Sequence, residues 1–420
     1  TGMSQGKRFA TGEIDVAKHD RHAEQIAKRR AKRREKQKRT HKIPGWVYKI
    51  ILILILSVVG MLLWFNRQNL APDRVMEWVQ DRVVGIGVGD GFPQPIAGTV
   101  VEPKNFLSVN KELVVVSDTD LSIYNSTAKV LASRQHSFSE PVMKTNGSRT
   151  LIYNLGGTGY QVESRTKTVE KKNTEGNIFA GALSEDGHYA FATQAEGYCG
   201  ELTAYKPDGT AKFQYWFADY YPTSVALDPS GSHAAVTAIS ALDGGLTSAV
   251  YLLDLSTEGA VEPFAAYTEN MMLDSYWSAD GTVSAIGDKM TAVINTATQT
   301  KVNYDYQGMQ LSAYTVDSGR TVLSLTAFDS ATSSRLVVLG GDGKELANIS
   351  VPGEIRSVSL YGDTVAALAG GTIYAYSAVG GNPIATVDAG GDAKAVALAS
   401  ESEAYVLGIS ELRYVELAAF

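Results

Sequence analysis

One unit of sequence recurs from residue 109 onward at intervals near 40 residues. Each copy has two short runs of alternating apolar residues around a tight turn, as in LSEDGHYAFA (183–192) and LDPSGSHAAV (227–236). Glycine at such a turn supplies a positive φ that other residues avoid. Strands repeated at this period are typical of the blades of a β-propeller. The sequence therefore predicts an all-β fold, a β-propeller, in which each copy forms the first hairpin of one blade.

The number of copies predicts the number of blades. Six further copies bring the total to eight: WSADGTVSAI (277–286), TVDSGRTVLSL (315–325), MKTNGSRTLIY (143–153), LYGDTVAALA (360–369), LASESEAYVLG (398–408) and VNKELVVVSD (109–118). Eight blades over residues 96–420 are favoured, and seven are the alternative if the weak first copy does not form a full blade. The last copy lacks a fourth strand, and the segment near 96–101 is expected to supply it, which closes the ring and removes free edges.

A long apolar run, WVYKIILILILSVVGMLLWF (46–65), precedes the repeats and contains a single charge, Lys49. At a rise of about 1.5 Å per residue, a helix of this length spans the roughly 30 Å of a hydrocarbon core. Trp46, Tyr48 and Trp64 stand near its ends, where interfacial aromatic residues belong. We predict an uncleaved transmembrane signal anchor here, because the run is apolar on every side and follows a basic block.

The charges on the two sides of this run have opposite signs. Residues 1–49 hold 15 Lys or Arg against 5 Asp or Glu, a net of +10, and residues 50–420 hold 23 against 40, a net of −17. Lys and Arg are retained in the cytoplasm, so residues 1–45 are predicted to form a basic cytoplasmic tail and the propeller to lie outside the cytoplasmic membrane. The run KRRAKRREKQKR (28–39) has no interleaved aromatic residues, which favours contact with anionic lipid over nucleic acid.

Residues 66–95 are predicted to connect the anchor to the propeller. In APDRVMEWVQDRVVGIG (71–87) Val75, Val79 and Val83 recur at helical spacing, which indicates a short juxtamembrane helix. The glycine-rich stretch VGIGVGDGFPQP (84–95) follows that helix and precedes a strand. A nucleotide site needs the reverse order, in which glycines lead from a strand into a helix. The stretch is therefore interpreted as a joint.

No motif in residues 96–420 assigns catalysis, a cofactor or a metal. HExxH and GxSxG are absent there, and His136, His188 and His233 form no close His/Cys cluster. Cys199 is the single cysteine, which excludes an intrachain disulfide. The sequence predicts no cofactor and leaves open whether the propeller is catalytic.

The candidate binding surface is aromatic. YWFADYY (215–221) holds five aromatic residues in seven, and such side chains can stack on sugar rings or on a partner's side chains. Phe213, Tyr215 and Phe217 should share one strand face and pack between blades, which makes Tyr220 and Tyr221 the stronger surface candidates. The full candidate set is Tyr220, Tyr221, Trp216, Tyr198, Tyr304 and Tyr306.

Several segments carry a resemblance to a known family: GDGFP (89–93), SDTDLSIYN (117–125), QHSFSEPVMK (135–144), IYNLGGTGYQVE (152–163) and SAVYLLDL (248–255). In these the chain resembles uncharacterised single-pass membrane proteins of Gram-positive, mostly anaerobic bacteria, which have a basic cytoplasmic tail and an external β-propeller. The resemblance covers nearly all of the chain from the apolar run onward. It implies the fold and the topology, and it implies no activity.

These features favour a membrane-anchored binding or scaffolding module for an envelope protein or a glycan. The alternative is an envelope polysaccharide-active enzyme, a lyase or a hydrolase, with acidic and aromatic residues at the mouth of the propeller channel. The two functions differ in whether carboxylates and a basic group with shifted pKa values converge at one channel mouth.

Overall fold

The computed structural model describes residues 45–65, 87–242, 244–327 and 330–417. The chain divides into two compact units, Thr1–Met76 and Glu77–Phe420. In the first unit, Gly45–Phe65 forms helix α1. Across the described residues, no helix meets both the length and the apolar character needed to cross a membrane. The anchor at 46–65 stays a prediction, and both the basic tail to residue 44 and the juxtamembrane helix predicted within 71–86 lie outside the described residues.

The second unit consists of β-strands. Within its described residues the strands are β1 (Gln94–Pro95), β2 (Val101–Val109), β3 (Glu112–Ser117), β4 (Asp120–Tyr124), β5 (Val130–Gln135), β6 (Pro141–Thr145), β7 (Arg149–Asn154), β8 (Gly159–Ser164), β9 (Thr168–Asn173), β10 (Ile178–Leu183), β11 (Tyr189–Thr193), β12 (Gly200–Tyr205), β13 (Ala211–Phe217), β14 (Tyr221–Leu227), β15 (His233–Leu242), β16 (Gly245–Asp254), β17 (Ala265–Thr268), β18 (Met272–Trp277), β19 (Thr282–Gly287), β20 (Met290–Asn295), β21 (Thr300–Asp305), β22 (Gln310–Asp317), β23 (Arg320–Ala327), β24 (Ser330–Leu339), β25 (Glu345–Pro352), β26 (Ile355–Tyr361), β27 (Thr364–Ala369), β28 (Thr372–Ser377), β29 (Pro383–Asp388), β30 (Ala395–Ser400), β31 (Glu403–Leu407) and β32 (Glu411–Glu416).

These strands form eight four-stranded antiparallel sheets, which are the blades of a propeller. Blades 1 to 7 each use four consecutive strands, from β2–β5 to β26–β29, and blade 8 uses β30, β31, β32 and β1. The first strand of each blade contacts the first strand of the next, so these strands surround the central channel. Eight blades are confirmed, and the weak first copy of the repeat forms a full blade.

The ring closes through β1, which is two residues long. Gln94 pairs with Leu412 and Pro95 with Glu411, so β1 is the outer strand of blade 8. The prediction of a closing strand from the N-terminal side is confirmed, but its position at 96–101 is wrong. The reason is a break after Pro95: Gly98 has a φ of +96°, and Val101 already begins the inner strand of blade 1.

The propeller has two faces. On the turn face, strand one of each blade joins strand two and strand three joins strand four; on the connection face lie the remaining hairpins and the blade-to-blade connections. All eight predicted turns lie on the turn face, and Gly187 and Gly231 have the expected positive φ, +91° and +63°. The chain enters at the turn face, where the amides of Gly89 and Gly91 donate to the Oγ1 and carbonyl oxygen of Thr127 in the β4–β5 turn.

The cores lie between neighbouring blades. Between blades 3 and 4, the buried rings of Phe213, Phe217 and Tyr251 pack with small residues such as Ala234 of β15, the second strand of blade 4. Blades 1 and 2 are also linked by a buried charge: Arg134 Nη1 lies 3.1 Å from Glu163 Oε2, and Glu163 is 1 % exposed. Burial raises the pKa of Glu163, against the opposing effects of Thr168 and Arg134.

Candidate binding groove

The groove is built on β13, the outer strand of blade 3. Its side chains alternate between two faces, as in any strand. Phe213 and Phe217 are buried toward blade 4 with Tyr215 half-buried beside them, whereas Gln214 and Trp216 are exposed on the other face. The predicted packing of Phe213, Tyr215 and Phe217 between blades is therefore confirmed.

An exposed pair of aromatic rings lies at the connection-face end of β13. Tyr198, in the connection from β11 to β12, is 51 % exposed, and Trp216 is 44 % exposed. Their ring centroids are 6.4 Å apart at an interplanar angle of 43°. Two large aromatic side chains that lie side by side and exposed to solvent offer an apolar contact area for a ligand.

Residues 255–264, which connect β16 to β17 in blade 4, form the second wall of the groove. Tyr215 holds this wall against β13, because its hydroxyl donates to the carbonyl oxygen of Val261 at 3.1 Å and accepts from the Val261 amide at 3.3 Å. Tyr220 and Tyr251 also line the groove. The groove is open to solvent along one side and has a volume of 1040 Å³, which is large enough for a peptide segment or an oligosaccharide.

The groove is acidic. Asp219, Glu258 and Glu262 line it and are exposed. Lys212 also lines it, but its Nζ donates to the carbonyl oxygen of Gly231 at 3.0 Å, which draws this charge toward the first turn of blade 4. Burial raises the pKa of Tyr251 far above its ordinary value, and neighbouring phenols and carboxylates act in the same direction. This phenol therefore stays protonated at neutral pH.

The structure brings three of the predicted residues together. Tyr198, Trp216 and Tyr220 all line the groove, whereas Tyr221, 56 % exposed, is not among the lining residues. Tyr220 differs from the expectation of an exposed ring, since it is 8 % exposed and packs edge-on against Tyr251 with centroids 6.2 Å apart.

Tyr304 and Tyr306 lie elsewhere, between blades 5 and 6. The expectation that Tyr306 belongs to a surface is wrong: its ring fills the interblade core, and its hydroxyl contacts Thr291 Oγ1 at 2.6 Å and donates to the Gly287 carbonyl at 3.0 Å. Tyr304 is half-buried and donates to Glu345 Oε1 at 2.6 Å. Both hydroxyls have partners within the propeller.

Reasoning from sequence missed the second wall of the groove and its carboxylates, Glu258 and Glu262. A signal for it exists in the spacing of the repeat. The turn glycines are 40, 44, 50, 38 and 43 residues apart, and the longest interval, from Gly231 to Gly281, contains residues 255–264. The extra length of blade 4 therefore marks an insertion, although spacing alone does not say where the inserted residues pack.

The comparison of the chain with protein families gives a match over residues 97–416, to a family of unknown function, DUF5711. The chain belongs to this family. No curated protein is similar enough in sequence to this DUF5711 chain to count as a relative.

Solved structures that resemble this DUF5711 chain have low sequence identity to it. The structure titled "Structure of Dos1 propeller" has a TM-score of 0.51 at 14 % identity, over 78 % of this chain and 96 % of that one. A eukaryotic initiation factor has a TM-score of 0.50 at 11 % identity, over 80 % and 90 %. BamB from Moraxella catarrhalis has a TM-score of 0.47 at 11 % identity, over 77 % and 100 %. At such identities the likeness shows the fold alone.

The channel of this DUF5711 propeller holds a second polar cluster. Asp274 of blade 5 accepts from Ser224 Oγ at 2.8 Å and from the Tyr314 hydroxyl at 3.3 Å. Lys144 of blade 2 reaches across to lie 5.9 Å from the ring centroid of Tyr276. Burial raises the pKa of Tyr276 and Tyr314, so these phenols stay protonated. The cluster links inner strands of blades that are not neighbours.

The described histidines and the single thiol bind within the protein and form no metal centre. Among the described residues, no group of three or more His, Cys, Asp or Glu side chains is arranged to hold a metal ion. His188 and His233 lie beside turn carboxylates, with His188 Nδ1 2.7 Å from Asp186 Oδ1. The Cys199 thiol donates to the carbonyl oxygen of Ala218 at 3.2 Å, next to the groove.

Proposed function

We propose that this protein is a binding module that is anchored in the cytoplasmic membrane and recognises an envelope protein or glycan outside it through the groove between blades 3 and 4. The observation that carries the proposal is the exposed pair Tyr198 and Trp216 at the end of an acidic groove of 1040 Å³. Exposed Trp and Tyr side chains in such a setting supply much of the contact energy of binding sites.

The groove is held in shape before any ligand arrives. One wall is a strand of a closed ring, and the other is fixed to it by the two hydrogen bonds between Tyr215 and Val261. A preformed site loses little conformational entropy on binding, so more of the contact energy appears as affinity. This favours a role in recognition.

Two features support the anchoring and the orientation. Helix α1 exposes apolar side chains, among them Trp46, Ile53 and Leu56. The residues before it have a strong excess of Lys and Arg. Under the rule that such residues stay in the cytoplasm, the propeller is proposed to lie on the outer side, with the basic tail on anionic lipid.

Photo-crosslinking in the cells that make the protein tests the binding role. Trp216 is replaced by benzoylphenylalanine in the full chain, and the matched control carries the same replacement at Tyr361, which is 38 % exposed in blade 7 on the turn face. We expect ultraviolet light to produce a defined covalent adduct at position 216 and none at 361. Equal adducts at both positions, or none at either, would refute the groove as the binding site.

The proposed topology has its own test. Membranes are washed with alkaline carbonate, and protoplasts are treated with an external protease. We expect the full chain to stay with the membrane and the propeller epitopes to be digested from outside while the basic tail survives. Release by carbonate would contradict the anchor, and protection of the propeller would contradict the orientation.

A further inference from the structure

Resting on the proposed function, we propose that the groove binds an extended, basic peptide segment of a partner protein, which adds to the outer edge of β13 as a fifth strand of blade 3. Strand addition of this kind uses main-chain hydrogen bonds for affinity and alternate side chains for specificity.

The groove follows the edge of a strand. Its lining includes every residue from 211 to 216 in unbroken succession. Side chains of a strand alternate between two faces, so six consecutive residues all border one groove only where the groove runs along the strand edge. In the described sheets β13 pairs with β12 alone, from Gly200 opposite Phe217 to Tyr205 opposite Ala211. Its other edge therefore faces the groove.

This edge has few of the features that protect outer strands from pairing. Free edges are usually shortened or carry charges or proline. Five of the seven other outer strands have such features: β1 and β17 have two and four residues, β9 contains Glu170, Lys171 and Lys172, and β25 and β29 contain Pro352 and Pro383, while β5 and β21 have six residues and no proline. In contrast, β13 has seven residues, no proline and one charge, Lys212.

The charges of the groove select a basic occupant. Glu258 and Glu262 lie exposed in the second wall of the groove, and Asp219 follows the connection-face end of β13. A strand between these walls would direct every second side chain toward Glu258 and Glu262. Lys or Arg at those positions would be complementary, and a cation near Trp216 or Tyr198 would gain a further attraction from the ring. Acidic polymers would be repelled.

Peptide probes test the strand and the charge separately. The full chain in detergent micelles is titrated against a fluorescein-labelled peptide of seven residues, the length of β13, in which lysine alternates with valine. Fluorescence anisotropy reports binding. We expect saturable binding that weakens as salt is added, and no binding of the same peptide with glutamate in place of lysine.

Backbone methylation distinguishes strand addition from other modes of binding. Two further peptides carry N-methyl groups at the odd-numbered or at the even-numbered amides, so both keep the charge and the side chains of the parent. In an added strand, alternate N–H groups face β13 and the others face water. We expect one of the two peptides to lose about tenfold or more in affinity and the other to bind like the parent. Equal effects of the two methylations would overturn strand addition.

Charge reversal of the wall tests the specificity for basic segments. The variant Glu258→Lys with Glu262→Lys changes exposed residues and is expected to weaken the parent peptide about tenfold. The matched control is Glu354→Lys, an exposed carboxylate between blades 6 and 7, which should leave the affinity unchanged. Equal affinities for the double variant and the control would overturn the assignment to a basic partner.

The two proposals fail in different ways. A crosslinked adduct at position 216 together with no binding of the lysine peptide would support the proposed binding module. It would refute the more specific proposal that the groove binds a basic strand. Absence of the adduct would refute the proposed function itself, and with it the peptide site as the physiological one.

Discussion

At the scale of single residues, Tyr215 joins the interior of the propeller to the groove. Its ring packs against Phe217 and Tyr251 with centroid distances of 4.9 and 6.4 Å, and its hydroxyl exchanges two hydrogen bonds with Val261. One phenol thus serves both the interblade core and the shape of the groove wall, so removing the oxygen affects the wall while the ring contacts remain.

The Tyr215→Phe variant is expected to lose about 1 kcal/mol of unfolding free energy, since the Val261 amide and carbonyl then need water as partner. Urea unfolding of the full chain in micelles measures it. The control Tyr221→Phe alters an exposed hydroxyl and should shift the unfolding free energy by less than about 0.5 kcal/mol. A larger loss in the control than in Tyr215→Phe would contradict the role of this bond.

Asp118 gives a prediction for acid stability. The Thr99 amide, helped by that of Val100, donates to its Oδ1 at 2.7 and 3.2 Å and holds the pKa of this carboxyl below its ordinary value, against desolvation that acts the other way. The folded-state pKa is the lower one, so the stabilisation is present above the unfolded pKa and is lost as the pH falls through the folded pKa.

The Asp118→Asn variant should therefore be less stable than the natural chain near neutral pH and should approach it as the pH falls from about 5 to about 2. The difference is expected to stay below about 1 kcal/mol, because the group is near the surface. Thermal unfolding midpoints across this pH range measure it. A constant difference at every pH would show that the titration of Asp118 is not involved.

At the scale of elements, the hairpins could be predicted from the sequence, whereas the orientations of the aromatic side chains could not. In six of the eight blades the first turn contains a glycine at a positive φ, and the strands on both sides of the turn alternate; both features are local in sequence. Whether the rings of Tyr220 and Tyr306 point inward depends on Tyr251 and Leu323, which come from other strands or blades. The groove wall at 255–264 packs through a contact 46 residues away along the chain.

The closing element also contains a testable contact. Phe92, just before β1, stacks on Tyr414 at 5.9 Å and lies 5.5 Å from the Tyr405 ring. Phe92→Ala is expected to lower the unfolding free energy by about 2–3 kcal/mol, since the apolar contact that holds β1 to blade 8 is lost. Val88→Ala, at a position 84 % exposed, is the control and should change it little. Indistinguishable denaturation curves for Phe92→Ala and the natural chain would show that Phe92 does not stabilise the closed ring.

At the scale of the whole molecule, the eight blades form a symmetric frame. The groove, the channel cluster and the closing strand each involve only some of these blades. The described groove belongs to blades 3 and 4, the channel cluster joins blades 2, 4, 5 and 6, and the closure belongs to blade 8. The frame follows from the repeat, whereas the second wall of the groove arises where blade 4 exceeds the usual repeat length.

The closure by β1 has a mechanical consequence. A tension applied to the chain before residue 87 reaches the propeller first through the hydrogen bonds of Gly87, Gly89 and Gly91 to Asn125 and Thr127, and only then through the two residue pairs of β1. The hydrogen bonds of blade 1 thus bear load ahead of the strand that keeps the ring shut. A force that breaks both sets of contacts would remove the outer strand of blade 8 and open the ring. The resistance of the whole propeller to force therefore depends on β1, the shortest of its described strands.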